Sequence, residues 1–204
     1  MPATASRTEE NGLRLRLEPA IQMTDEQFFV FCQQNRDLRI ERTAHGEITI
    51  TPPTGGGTSN RNLELVRHLG NWAKEDGSGA AFGPDGGFVL PNGAIRAPDA
   101  SWVRRKRLAD LSPEEKEKFL PLCPDFVIEL RSRTDSLDAL KAKMQEYRGN
   151  GVRLGWLIDP QNRDAYVYRA DAEPERLDDP DALRGDPLLT GFTLELDAIW
   201  TLDF

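Results

Sequence analysis

The chain has only two cysteines among its 204 residues, Cys32 and Cys123, and they form no CxxC pair. This excludes a disulfide framework and is typical of a reducing compartment, so we expect a cytoplasmic protein. The two histidines, His45 and His68, do not combine with these cysteines at zinc-ligand spacing. No apolar run approaches the ~18 residues of a membrane span, and residues 1–19 lack the apolar segment of a signal peptide. No contact with a membrane is therefore expected.

Several catalytic and nucleotide-binding motifs are also absent. The sequence contains no GxSxG, no P-loop and no dinucleotide-binding glycine fingerprint. Gly55–Gly57 is the one glycine cluster that could cradle a phosphate, provided that its amides converge ahead of a helix predicted to start at Ser59. A flexible loop is the alternative interpretation of this cluster.

Basic residues are too few overall to indicate non-specific DNA binding. The chain carries 26 basic and 34 acidic side chains, a net charge of −8. Residues 159–204 hold twelve of the acids against four arginines, so residues 1–158 are neutral, and residues 131–153 have a net charge of +3. Because non-specific affinity comes from neutralised phosphates, we expect weak non-specific DNA binding. A local phosphate-binding face is not excluded.

Apolar periodicity predicts a mixed α/β domain. We expect residues 1–20 to be a poorly ordered N-terminal segment and residues 21–204 to form a single domain. Helices are predicted from Thr24, from Ser59 and over Ser136–Gly149, and a hairpin is predicted over 38–51. The other predicted strands are Ala80–Phe82, Gly87–Leu90, Ala94–Val103, Asp125–Leu130, Arg153–Ile158, Ala165–Tyr168 and Phe192–Leu196.

Two carboxylates at strand ends suggest a metal site. Asp99 follows Pro98 at the entry to a strand, and Glu129 stands near the end of the buried strand Asp125–Leu130. Two such acids suit Mg²⁺, which binds one or two carboxylates together with water and substrate phosphate. A nearby lysine could then orient or deprotonate the attacking water. A second Pro-Asp pair ends at Asp125, which we interpret as a structural acid or as one that supports the metal ligands from behind.

Five sequence blocks carry a more specific resemblance. They are "TPPTGGGTSNRN", "LPNGAIRAPDASWV", "LCPDFVIELRSRTD", "KAKMQEYRGNGVRLGWLIDP" and "LTGFTLELDAIW". Over residues 23–200 the chain resembles the bacterial putative restriction endonuclease family of the PD-(D/E)XK nuclease superfamily. The resemblance implies an α/β, restriction-endonuclease-like mixed sheet flanked by helices, with an N-terminal hairpin and extra C-terminal strands. It also implies a Mg²⁺-dependent phosphodiesterase site.

The family's motif residues map onto three acids of this chain. Asp99 matches the Pro-Asp aspartate and Glu129 matches the second metal-ligand acid. Glu41 matches the acid of the first hairpin and would be an outer contributor to the site. Mn²⁺ is expected to be able to substitute for Mg²⁺.

The lysine of the motif is absent from its usual position in this chain. The position two residues after Glu129 is Arg131, and an arginine cannot act as a base because its pKa exceeds ~12. The family pattern Lys-x-x-x-Tyr on the following helix matches Lys143 and Tyr147. Lys141 and Lys143 flank the apolar stripe of this helix at similar angles, so periodicity alone leaves both open.

We therefore expect a metal-dependent endonuclease that cleaves DNA, with Asp99, Glu129, Lys143 and Glu41 as its site. Cutting both strands would favour a homodimer. Two alternatives stay open: a non-catalytic nucleic-acid-binding or structural member of the same fold, and a metal-dependent hydrolase of small phosphate esters. Fold resemblance alone does not decide among them, because function depends on the site.

Overall fold

A computed structural model describes residues 4–7, 12–17 and 20–203 of the chain. Six helices lie in these ranges: α1 (Asp25–Gln34), α2 (Gly56–Asp76), α3 (Arg105–Ala109), α4 (Pro113–Lys116), α5 (Leu137–Gly149) and α6 (Asp197–Trp200). None of the helices within the described ranges has the length and hydropathy needed to cross a membrane.

Fourteen strands lie in the same described ranges. They are β1 (Thr4–Arg7), β2 (Leu13–Arg16), β3 (Arg39–Arg42), β4 (Ile48–Thr51), β5 (Gly79–Phe82), β6 (Phe88–Val89), β7 (Ile95–Arg96), β8 (Ala100–Arg104), β9 (Phe126–Leu130), β10 (Leu154–Asp159), β11 (Asp164–Arg169), β12 (Glu175–Asp178), β13 (Ala182–Arg184) and β14 (Thr193–Glu195).

The central sheet has the strand order β12-β11-β10-β9-β8-β5. Strands β9 and β10 are parallel, and α5 forms the crossover between them, as a parallel connection requires. Every residue of β9 and β10 is buried, because helices or loops cover both faces of the sheet. This explains why both strands are continuous apolar runs in the sequence rather than alternating ones.

Alternate residues of β9 face opposite sides of the sheet. Phe126 and Ile128 pack with α2 and the C-terminal elements, whereas Val127 packs with residues of α5 such as Met144. Because side chains alternate along a strand, Glu129 shares the face of Val127 and points toward α5. This alternation sets which helix can supply a partner to Glu129.

A second sheet, in the order β1-β2-β4-β3-β7-β6, contains the predicted hairpin as β3 and β4. Two strands also occur in the segment 1–20 that was predicted to be poorly ordered. β1 pairs with β2, and β2 pairs with β4, so the described part of this segment continues the sheet. Residues 1–3, 8–11 and 18–19, which fall under the same prediction, lie outside the described residues.

Helix boundaries agree with the predictions except at α2. Thr24 caps α1 in a capping box with Gln27, as the sequence predicts. The prediction that α2 starts at Ser59 is wrong, because the helix begins at Gly56 after Gly55. The C-terminal segment packs against this first turn, where a Cβ atom on Gly57 would lie 2.7 Å from Leu202. Tertiary packing here overrides the low helix propensity of glycine.

Candidate active site

Asp99 lies immediately before β8, beside the end of β9. These strands are antiparallel, with Ala100 opposite Ile128, so the start of one meets the end of the other. The backbone N–H of Leu130 donates to Asp99 Oδ2 at 2.9 Å. Strand pairing therefore places Asp99 next to Glu129, although 29 residues lie between them in the sequence.

Glu129 is a buried carboxylate, with only 2% of the residue exposed. Lys143 Nζ lies 2.9 Å from its Oε1, and the hydroxyl of Tyr147 donates to the same oxygen at 3.0 Å. Burial, together with the nearby carboxylates of Asp99 and Glu41, raises the pKa of Glu129 to about 7, although Lys143 acts in the opposite direction. The site therefore disfavours the charged form of this carboxyl group, which holds its proton to a higher pH than a solvated glutamate does.

Lys143 links Glu129 to the hairpin. Its Nζ lies 2.9 Å from Glu41 Oε1 as well as 2.9 Å from Glu129 Oε1. On α5, Lys143 and Tyr147 are four residues apart and therefore share a face, which explains why both reach Glu129. Lys141 points elsewhere, with its Nζ 4.4 Å from the centre of the Tyr166 ring. Of the two lysines that the sequence left open, the structure brings Lys143 to the carboxylates.

Glu41 faces this cluster from β3. It accepts hydrogen bonds from the backbone N–H of Ala97 at 3.0 Å and from Arg96 Nη1 at 3.2 Å, in addition to Lys143. Burial alone would raise the pKa of Glu41, but Lys143, Arg96 and Arg39 outweigh that effect and lower it to about 2. Glu41 is therefore an anion throughout the physiological pH range.

Four further residues of the cluster were not predicted as site residues. Arg39 donates to Asp99 Oδ1 at 3.2 Å, and Asn62 Nδ2 lies 3.4 Å from the same oxygen. Arg96 joins Glu41 to Glu146, and Tyr147 contacts Glu129. The sequence held one signal for Arg39, since it stands two residues before Glu41 and so shares its strand face. For Asn62 the sequence offers no comparable signal.

Arg131 does not reach the cluster. Its Nη1 donates to Asp159 Oδ2 at 2.7 Å, and its Nε donates to the carbonyl of Asp135 at 3.1 Å. Asp159 is fully buried, so this arginine neutralises a carboxylate at the end of β10. The residue that stands at the motif's lysine position therefore has a structural role here.

Asp125 lies at the opposite end of β9 from Glu129. Its Oδ2 accepts from the backbone N–H of Arg104 at 2.9 Å and pairs with Arg107 at 3.2 Å. The second Pro-Asp pair of the sequence is thus a structural acid that joins β9 to the end of β8.

A cavity of about 550 Å³ reaches the side of the cluster formed by Glu41 and Lys143. It lies between the β3–β4 hairpin and the N-terminal half of α5, and Glu41, Lys143 and Arg96 are among its lining residues. This volume falls within the range of sites that hold small molecules or parts of larger ones. A substrate could thus approach the Glu41–Lys143 pair from solvent.

The donor set of the cluster fits a hard divalent cation with few protein ligands. Within residues 4–7, 12–17 and 20–203, no three carboxylate, imidazole or thiol side chains converge as a metal-holding group. Asp99 and Glu129 nevertheless supply two adjacent carboxylates, and their repulsion contributes to the raised pKa of Glu129. The side-chain oxygen of Asn62, beside Asp99, is buried and has no hydrogen-bond partner among the described residues. Mg²⁺ commonly takes one or two carboxylates and completes its shell with water.

Comparison with solved structures finds the same fold elsewhere. A putative nuclease belonging to DUF820 from Anabaena variabilis matches with a TM-score of 0.70 and 23% sequence identity, covering 88% of this chain and 98% of that chain. At this identity the likeness shows the fold alone, and it confirms the predicted mixed α/β architecture. No match was found among curated proteins.

The family is established by a match over most of the chain. Residues 25–197 match Uma2, a family described as putative restriction endonuclease. This range includes all four predicted site residues, Glu41, Asp99, Glu129 and Lys143, and confirms the resemblance noted in the sequence. The chain belongs to the Uma2 family of putative restriction endonucleases.

Proposed function

We propose that this protein is a Mg²⁺-dependent endonuclease that hydrolyses phosphodiester bonds in DNA. The observation that carries the proposal is the position of Lys143 Nζ, 2.9 Å from Glu41 Oε1 and 2.9 Å from Glu129 Oε1. The carboxylate of Glu129 is in turn close enough to Asp99 to be affected by its charge. Four side chains, from β3, the residue before β8, β9 and α5, converge although they span 102 positions of sequence. Membership of a nuclease family supports the same reaction class.

Asp99 and Glu129 would hold the metal ion through their carboxylate oxygens. Mn²⁺ accepts the same oxygen ligands and would substitute for Mg²⁺. When bound, the ion supplies Lewis-acid stabilisation of the phosphate and lowers the pKa of a bound water. Glu129 is buried among like charges, so bringing a cation to it relieves electrostatic repulsion.

Lys143 would act as a hydrogen-bond donor rather than as a base. Burial alone would lower its pKa, but the carboxylates of Glu129 and Glu41 outweigh this and raise it. The side chain is therefore an ammonium at neutral pH. As the water oxygen bonds to phosphorus and the bond to the leaving sugar oxygen breaks, negative charge grows on the phosphate. An ammonium next to that phosphate stabilises the growing charge.

Glu41 would position Lys143. Its second oxygen is held by Arg96, and its first also accepts from the N–H of Ala97, so the carboxylate cannot rotate freely. The ammonium of Lys143 is consequently held on the side of the cluster that the cavity reaches. A positioned donor costs little reorganisation during the reaction.

The test is cleavage of plasmid and single-stranded DNA with Mg²⁺ or Mn²⁺ at low salt, together with calorimetric metal binding. Low salt matters because a chain with net charge −8 binds DNA weakly. We expect nicking that EDTA abolishes and that Asp99→Asn reduces at least about 100-fold. Asp110→Asn, the same change at an exposed position, serves as the control and should cut like wild type. Absence of both cleavage and metal binding in wild type would overturn the proposal.

A metal-dependent hydrolase of small phosphate esters is a second candidate. The cavity of about 550 Å³ and the acidic net charge favour a substrate smaller than a duplex. Turnover of a nucleotide or aryl phosphate panel without DNA nicking would select this candidate.

A non-catalytic, nucleic-acid-binding or structural member of the fold is a third candidate. It is favoured by the ion pairs of the cluster, since Asp99, Glu41 and Glu129 each already have a cationic partner. Metal-independent DNA binding without turnover of any ester would select it.

A homodimer is part of the proposal, because two identical sites related by symmetry can cut the two strands of a duplex. Light scattering with and without a DNA duplex tests this. A monomer that makes only single-strand nicks would restrict the proposal to a nickase.

A further inference from the structure

The side chain of Asn62, which contacts Asp99, carries a buried oxygen that has no hydrogen-bond partner among the described residues. Asn62 lies in α2, and its Nδ2 is 3.4 Å from Asp99 Oδ1. Its Oδ1 is shielded from solvent and accepts no hydrogen bond from any described residue. A buried acceptor without a partner destabilises a protein, so its presence requires an explanation.

The orientation of this amide follows from its neighbour. Asp99 Oδ1 already accepts a hydrogen bond from Arg39 Nη1. Rotating the amide by 180° would place two acceptor oxygens against each other, so the NH₂ group must face Asp99. The amide oxygen is then left on the other side of a planar group, within about 6 Å of the same carboxylate oxygen.

That distance is compatible with a water-bridged arrangement. A water ligand of Mg²⁺ lies about 3 Å from a neighbouring carboxylate ligand, because each is 2.0–2.1 Å from the ion. A hydrogen bond from this water to an acceptor adds roughly another 3 Å. An acceptor within about 6 Å of Asp99 is therefore at the reach of a metal-held water.

We propose that Asn62 Oδ1 accepts a hydrogen bond from a water held at the Asp99–Glu129 carboxylates, so that Asn62 is a positioning residue of the cation site. The inference rests on the proposed metal-dependent function. In this arrangement the NH₂ group orients Asp99 while the oxygen orients the water. One side chain then contacts both a ligand and the hydration shell, as outer-shell groups of metal sites do.

The experiment compares Asn62→Leu and Asn62→Asp with wild type, using calorimetric Mn²⁺ and Mg²⁺ binding and the Tm in EDTA and in metal. Asn71, an exposed asparagine on the same helix, provides matched controls in Asn71→Leu and Asn71→Asp. We expect Asn62→Leu to weaken metal binding about 10- to 100-fold, with a Tm in EDTA no lower than that of wild type. Both Asn71 variants should bind metal like wild type.

The aspartate variant gives an independent readout. Asn62→Asp adds a carboxylate beside Asp99, so its Tm in EDTA should fall, and metal should raise its Tm by more than it raises that of wild type. The inference would be overturned if Asn62→Leu bound metal as tightly as wild type, or if metal did not raise the Tm of Asn62→Asp by more than that of wild type. Either result would leave the nuclease proposal intact. Wild-type protein that binds no metal would overturn both.

Discussion

Lys143 and Glu129 form a buried ion pair of 2.9 Å that joins α5 to the end of β9. Lys143 is only 16% exposed and the side chain of Glu129 only 3%, so water screens the pair weakly. Two residues from consecutive elements thus meet on the α5 face of the central sheet. The two residues are 14 positions apart because the loop after β9 and the first turns of α5 separate them. The PD-(D/E)XK motif instead places its lysine two residues after the acid.

Replacing the paired lysine should strongly reduce DNA cleavage. Lys143→Gln removes the only ammonium in contact with Glu129 among the described residues, and we expect turnover to fall about 100- to 1,000-fold. Lys141→Gln is the matched control, since Lys141 contacts Tyr166, and its turnover should stay within about threefold of wild type. Single-turnover cleavage of a labelled duplex measures both. Equal losses in the two variants would mean that the assignment of Lys143 is wrong.

The stability of the metal-free protein should depend on the protonation of Glu129. Its pKa is about 7 in the folded chain and near 4.5 when unfolded, so the folded state binds more protons between these values. The free energy of unfolding should therefore fall as pH rises from about 4.5 to 7, by about 3 kcal/mol from this group. Urea unfolding in EDTA at several pH values measures it.

Glu129→Gln is the variant that isolates this effect, because an amide does not titrate. Its unfolding free energy should lack the decline between pH 4.5 and 7. Glu41, whose pKa is lowered to about 2, acts in a different window, since its stabilising contribution is lost only as pH falls below about 4.5. If the unfolding free energy of Glu129→Gln still declined between pH 4.5 and 7, another group would be responsible for the titration.

Removing Arg39 should strengthen metal binding. Arg39 pairs with Asp99 at 3.2 Å and is 32% exposed, so in the metal-free protein its guanidinium neutralises a proposed metal ligand. Arg39→Gln removes a cation that repels the metal, and we expect affinity to rise several-fold. Arg36→Gln, an exposed arginine near the same hairpin, should leave affinity unchanged. Weaker binding in Arg39→Gln would show that Arg39 orients Asp99 for the metal instead.

Placing a lysine at position 131, where the motif expects one, should not increase DNA cleavage. Arg131 holds the fully buried Asp159 at 2.7 Å through Nη1 and also donates from Nε to the Asp135 carbonyl. A lysine lacks this fork of separate nitrogen donors, so it does not reproduce both contacts. Arg131→Lys should lower the free energy of unfolding by about 1–3 kcal/mol. Cleavage per folded molecule should stay near that of wild type. A gain in cleavage would indicate that position 131 can reach the substrate.

Local patterns in the sequence predicted most of the elements. Capping residues, apolar periodicity and glycine turns act over a few residues, so the hairpin, α1, α5 and the buried strands β9 and β10 follow from them. The exception at the start of α2 has a tertiary cause, since Leu202 packs on Gly57 from the other end of the chain.

The acids Asp99 and Glu129 could be selected from the sequence because a carboxylate at a buried strand end is costly unless it has a partner. Which groups partner them depends on contacts between residues 14 to 102 positions apart: Lys143 with Glu129 and Glu41, Arg39 and Asn62 with Asp99. A helical wheel places Lys141 and Lys143 symmetrically, and in the sequence only the Lys-x-x-x-Tyr pattern favours Lys143. The fold directs Lys143 to Glu129 and Glu41, and Lys141 to the ring of Tyr166. The local sequence thus determines the helices and strands and the candidate acids. Tertiary packing determines which cations and which amide, Lys143, Arg39 and Asn62, complete the cluster. The reason is that the partners of a side chain depend on which faces of the sheet and helices meet.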